Sequence, residues 1–256
     1  MRNSILSSLL IVMVLFSCNN TTNKTPAIQD TTVSEVPQQI VDTNKLEVVN
    51  PRTVEDVIML PTAYRIDSNT ELKDILNSKS WKEIYKKVGN YFVADAQYNL
   101  SEISEDPCSG SLQQSIEPIN NALLLFSISK IKEGKLDTVA FTEARIKPKS
   151  PLNFTFNNQK FKLQAYGIEF YSDNGSNPKG DYTLKVFSDK FPDGYTLFHQ
   201  TEYNDTCTEL IMITDLDNDG LPDFILSSPR DYEEERYMII LSSDSTTYAG
   251  DRQFDC

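Results

Sequence analysis

The chain has 256 residues, enough for one large domain or two small ones around a substantial core. Apolar residues make up 39% and charged residues 24%, with 13 Phe and 12 Tyr, which excludes wholesale disorder and a polytopic membrane protein. Acidic residues outnumber basic ones 37 to 24, and the resulting charge of −13 repels phosphate backbones, so it argues against a nucleic-acid partner and favours cations.

The chain begins MRNSILSSLLIVMVLFSC: a short start with Arg2 as its positive charge, then a stretch from Ile5 to Phe16 in which only Ser7 and Ser8 are not apolar. Twelve residues are too few to cross about 30 Å of hydrocarbon as a helix, so residues 1–17 are predicted to be a signal peptide and not a span. Leu15-Phe16-Ser17-Cys18, followed by polar Asn19 and Asn20, resembles the lipobox of bacterial lipoproteins. The resemblance implies cleavage before Cys18, a diacylglycerol on its thiol and an acylated amine. Each buried methylene contributes about 0.8 kcal/mol, so two or three acyl chains would anchor the protein durably. The expected location is the bacterial cell envelope, on the outer membrane, with the periplasmic and surface faces both open. An ordinary cleaved signal, with Cys18 in a disulfide, is the alternative.

Residues 18–50 follow as the lipidated N-terminus and a tether. From Asn19 to Asn50 there is no aromatic residue, and Thr, Asn, Gln and Val dominate, too little apolar area to offset the entropy of ordering. These thirty-two residues span about 30 Å as a coil and about 100 Å extended.

A single β-rich domain with N-terminal helices is predicted over 51–256. Glu55 and Asp56 after Thr53 suit a helix start, and Pro61 stops that turn. Ser68-Asn69-Thr70-Glu71 and Ser80-Trp81-Lys82-Glu83 both have the capping-box pattern. Trp81, Ile84, Tyr85 and Val88 recur at helical spacing up to Gly89, which predicts an amphipathic helix with Trp81 as a core anchor. Beyond Asn90, β-branched and aromatic runs predict strands at 91–98, 122–130, 138–146, 161–171, 182–187, 195–203, 209–214, 224–227 and 237–242. Turn chemistry such as Asp173-Asn174-Gly175 and Pro192-Asp193-Gly194 punctuates them, and Gly167 interrupts one alternation as a bulge would. The absence of a long helix between strands argues against a parallel βαβ sheet, and the expected fold is mainly β: an antiparallel sandwich, roll or open barrel with a few short N-terminal helices.

One stretch carries chemistry. In Asp215-Leu216-Asp217-Asn218-Asp219-Gly220-Leu221-Pro222-Asp223, carboxylates fall at loop positions 1, 3, 5 and 9, a glycine at 6, and position 7 offers its backbone carbonyl. Hard oxygens in that order are what a Ca²⁺ loop uses. An EF-hand is excluded, because position 12 is Leu226 instead of Glu and the flanks read as strands. The stretch ITDLDNDGLPDFIL is similar to the calcium loop of FG-GAP and VCBS-type repeats, Asp-x-Asp-x-Asp-Gly-x-x-Asp between two apolar strands. That likeness implies a metal set of Asp215, Asp217, Asp219, the Leu221 carbonyl and Asp223, with a structural Ca²⁺ that pins a hairpin. Magnesium, which wants an octahedral set with several waters, ranks second. The family arrays several copies as propeller blades; here one copy stands alone. The stretch from Ile213 to Cys256 also resembles the C-terminal part of a group of uncharacterised bacterial lipoproteins, which implies an address and an ion and no activity. The plain alternative is a tight turn at Asp219-Gly220 among surface acids.

Besides Cys18 there are Cys108, Cys207 and Cys256, so an oxidising compartment leaves three pairings open, with Cys108 to Cys256 preferred. His199 is the lone histidine, which excludes the usual zinc sets and makes a Cys–His nucleophile a poor reading. The run Arg230-Asp231-Tyr232-Glu233-Glu234-Glu235-Arg236 reads as a solvated loop, or as an acidic edge near the ion loop. No catalytic constellation stands out. The expected function is a lipid-anchored envelope protein that binds or scaffolds a protein or glycan partner. A carboxylate-based hydrolase of glycan or peptide, and an adhesive carbohydrate-binding module using exposed Tyr and Trp81, are the alternatives.

Overall fold

The computed structural model describes residues 51–66, 71–172, 175–204, 206–244 and 246–254, and side chains at 169–172 and 175–179 are left aside. The signal peptide, Cys18, the tether, Ser68 to Thr70 of one capping pattern, the Asp173-Asn174 turn and Cys256 therefore lie outside the described residues. The protein is mainly β. In chain order its elements are β1 (Thr53–Val54), β2 (Ile58–Met59), β3 (Ala63–Arg65), α1 (Leu72–Asn77), β4 (Lys82–Lys87), β5 (Asn90–Asp95), β6 (Tyr98–Leu100), β7 (Ser104–Glu105), β8 (Leu112–Pro118) and β9 (Ala122–Phe126). They continue with β10 (Gly134–Leu136), β11 (Leu152–Phe156), β12 (Gln159–Ser172), β13 (Gly175–Ser188), β14 (Phe191–Glu202), β15 (Glu209–Thr214), β16 (Asp223–Ser227), β17 (Glu234–Leu241) and β18 (Thr246–Gln253).

Three larger sheets pack face to face. The central one has the order β1-β18-β17-β16-β15, antiparallel except where β1 joins β18 in parallel. Side chains alternate across it: Phe224, Leu226, Met238 and Ile240 enter one core with Leu163, Leu184 and Phe198 of the β11-β12-β13-β14 sheet. Ile225, Ile239 and Leu241 enter the other, with Ile84, Leu124 and Phe126 of the β10-β5-β4-β9-β2 sheet. Burial on both faces is why β16 and the end of β17 read as unbroken apolar runs and not as alternating ones. The far face of the β4-β9 sheet is closed by α1, through Leu72 and Leu76, and by Ile116 of the β3-β8-β6 sheet.

The largest departure from expectation is at Trp81 to Val88, which forms strand β4 and not a helix. Lys87 pairs with Asn90, and the two residues between them, Val88 (φ 47) and Gly89 (φ 79), both have positive φ, the geometry of a tight hairpin. Gly89 thus turns a hairpin where helix-end chemistry was expected. Ile84 pairs with both Val93 and Leu124, and this central place in a sheet outweighs the local capping pattern. Trp81 is a core anchor: it is 7% exposed and its indole N–H donates to the Leu76 carbonyl at 2.9 Å. The turn expected near Thr53 is replaced by β1 and β2, which pair with β18 and β9. One helix, of six residues, is found among the described residues, in place of a few, and its N-cap Glu71 makes no side-chain cap.

Residues 138–146 form no strand. They lie along the free edge of β15 through Val139 N–H to Ile213 O (3.0 Å), Leu210 N–H to Ala144 O (2.7 Å) and one bridge, Arg145 with Glu209. An irregular segment thereby covers an edge that would otherwise be open to pairing. At Gly167 (φ 148) the β12-β13 register shifts, as the bulge reading anticipated. Among the described residues no helix is long and apolar enough to cross a membrane.

Candidate metal centre

Strand β15 ends at Thr214 and β16 begins at Asp223, so the acidic loop is the connection of an antiparallel hairpin in the doubly buried sheet. The loop is shaped by its own aspartates. Asp215 accepts from the Asp219 N–H (3.1 Å) and the Gly220 N–H (2.9 Å), Asp217 accepts from the Asp219 N–H (3.3 Å), and Asp219 accepts from the Leu221 N–H (2.7 Å). Short acidic side chains bonding to backbone a few residues ahead are a turn-forming device. Asn218 (φ 63) and Gly220 (φ 85) supply the positive φ that reverses the chain.

A Cβ on Gly220 would meet nothing within 4 Å, so the requirement for glycine there is conformational and not one of space. Gly220→Ala should therefore lose only about 1 kcal/mol in urea denaturation. A loss of several kcal/mol would show that Gly220 has a packing role.

Asp215, Asp217 and Asp223 converge, each offering a carboxylate oxygen within 4.8 Å of the others. Oxygens that share a Ca²⁺ at about 2.4 Å can be at most about 4.8 Å apart, a condition that these three meet. Asp219 is exposed and is not among the three, and Leu221 turns its N–H to Asp219. Three of the four expected carboxylates are thus brought together.

Asp223 is completely buried; its Oδ2 accepts from the Leu216 N–H and its Oδ1 from the Ser242 N–H, each at 2.8 Å. Burial pushes its carboxyl up to about 8; the two backbone N–H groups oppose the shift, while the charges of Asp217 and Asp219 add to it. Loss of water also raises the Asp219 carboxyl, and Asp217 and Asp215 push it the same way. Ionising Asp223 is therefore disfavoured, a cost that a cation at the site would relieve.

The second half of the setting was not visible in the sequence. The β17–β18 turn brings the Ser242 N–H to Asp223 and the Ser243 hydroxyl to Asp217 at 2.5 Å. Ser242 donates to the Pro222 carbonyl and accepts from the Tyr195 hydroxyl at 2.9 Å, and Asn157 bonds the Gly220 carbonyl at 3.0 Å. Only the register, with Phe224 opposite Ile240, places that turn beside the acidic loop.

The remaining candidates have other roles. The run from Arg230 to Arg236 joins β16 to β17 at the end of the sheet away from the acidic loop, so it forms no edge beside it. Glu234 is buried and accepts from Arg230 through both N–H and Nε, and Arg230 also pairs with Asp251. This is a folded clamp and not a solvated loop. His199 Nδ1 lies 3.0 Å from the Thr183 hydroxyl. Cys108 is disulfide-bonded and Cys207 keeps its thiol. No protein-family model, curated protein or solved structure matches the chain.

Proposed function

We propose that this is a lipid-anchored cell-envelope protein whose β-rich body binds or scaffolds a protein or glycan partner, with one Ca²⁺ stiffening the hairpin of its central sheet. The convergence of Asp215, Asp217 and Asp223 supports the ion, because hard carboxylate oxygens suit calcium and the loop order matches the FG-GAP type. The ion's role is structural: it ties the β15–β16 loop and the β17–β18 turn into one unit at the end of a sheet buried on both faces. The anchor rests on residues 1–18, and the tether would hold the body away from the membrane.

Calcium should raise the melting temperature. With Kd of about 10⁻⁴–10⁻³ M, ~10 mM Ca²⁺ stabilises by about 1.4–2.7 kcal/mol, or about 3–10 °C for a domain of this size. Asp217→Ala should melt at the same temperature with calcium as with chelator. A wild-type melt that calcium leaves unmoved defeats the ion. Lipidation is checked separately: an alkyne fatty acid fed to expressing bacteria should label the wild type and not Cys18→Ser, and equal labelling would remove the anchor.

A further inference from the structure

A cleft of about 150 Å³ opens between β14 and strands β1, β18 and β17 of the central sheet, with Thr53, His199, Gln200, Arg236, Met238 and Thr247 on its walls. Interiors are packed with few voids of this size, and one with polar walls holds water or a solute. Its distinguishing group is Arg236, which is only 6% exposed. One end of the guanidinium is held, since Nη2 donates to Glu55 Oε1 at 3.0 Å. Its Nε is buried and has no acceptor among the described residues. A buried cation with an unused donor is costly, and natural folds leave few such groups without a purpose.

We propose that this cleft binds a small organic monocarboxylate, seated on Arg236 with its hydrocarbon end against Met238 and Phe198. A carboxylate matches the planar edge of a guanidinium, and charge-assisted bonds of this kind are among the strongest available to a ligand. Because Glu55 already balances part of the Arg236 charge, and Asp251 also faces it, a monoanion is opposed less than a phosphate dianion. His199, whose Nδ1 lies 3.0 Å from the Thr183 hydroxyl, adds a second polar side chain to the walls. A void of about 150 Å³ accommodates a molecule of benzene size, which limits the ligand to about four to seven non-hydrogen atoms.

The test uses the full-length protein and propionate, with propionamide as its neutral counterpart at matched ionic strength. Saturation-transfer NMR should give saturable propionate binding with Kd in the millimolar range, at least tenfold tighter than propionamide. In arginine-labelled protein, one Nε–H signal should move along the same curve. Thr53→Phe fills the cleft without touching the Arg236 to Glu55 pair and should weaken binding at least tenfold; Gln200→Trp serves if that variant does not fold. Binding that fails to saturate by about 50 mM, that is equal for the amide, or that survives filling of the cleft overturns the proposal and leaves Nε bonded to water.

Discussion

Asp223→Ala should destabilise the calcium-free protein by about 3 kcal/mol and also remove one component of its pH dependence. The Leu216 and Ser242 N–H groups would be left buried without their acceptor, and each such loss costs about 1–3 kcal/mol. The pH effect follows from the carboxyl being pushed from 3.8 up to about 8 by burial. The folded state then keeps a proton that the unfolded chain has released, so this group's contribution is fully present below about pH 4 and is lost as pH rises through about 8. Within that window the slope reaches at most about 1.4 kcal/mol per pH unit. Calcium binds the ionised form and competes with the proton, so its stabilising effect should grow from pH 5 to pH 8. Urea denaturation at several pH values, with chelator and with calcium, separates these effects. Equal slopes for chelated wild type and chelated Asp223→Ala would show that Asp223 does not hold the proton.

The acidic loop was legible because its information is local. The three converging carboxylates come from one nine-residue stretch, and the flanking strands β15 and β16 are apolar enough to be recognised without knowing their neighbours. Asp219 stands outside the converging three and accepts from the Leu221 N–H, and spacing alone cannot distinguish a carboxylate that turns toward its neighbours from one that caps the next turn. Ser242 and Ser243 were invisible for a different reason: their contact with the loop depends on how β16 and β17 register. Arg236 reads in sequence as one charge in an acidic run, and only the packing of β14 over β17 turns it into a buried cation beside a cleft.

The same division explains the fold. β-class and most long strands follow from β-branched and aromatic content, whereas β18, with Gly250, Asp251 and Arg252 in TTYAGDRQ, lacks the apolar signal. At Trp81 the misleading cue was periodicity: Trp81 and Ile84 are buried, but Val88 is 92% exposed and Glu83 is completely buried. A helix reading predicts the reverse for those last two. Asn120 donates to Glu83 at 2.5 Å, a partner that the sequence cannot assign to it.

Gly250→Ala should be the most damaging of the small substitutions, with a loss of about 3 kcal/mol or more. A Cβ there would lie 1.9 Å from the Ile58 carbonyl oxygen and 2.7 Å from its carbon. Both are backbone atoms, so no side-chain rotation relieves the overlap. The place matters as much as the distance. Gly250 pairs with Tyr237 inside the central sheet, and the segment crossing it runs from Val57, whose N–H donates to Ala249 O at 3.3 Å, into β2, which pairs with β9. Opening that crossing by the ångström or more that a methyl requires would pull β2 from the neighbouring sheet, or distort β18 between β1 and β17. Either change loosens the joint between two packed sheets, so susceptibility to protease at residues 51–59 should rise together with the loss of stability. Gly134→Ala is the control, because a Cβ there meets nothing within 4 Å and only its φ of +137 opposes substitution. If Gly250→Ala unfolds in urea within about 1 kcal/mol of wild type, and with unchanged protease resistance, then β2 does not cross β18 as closely as described.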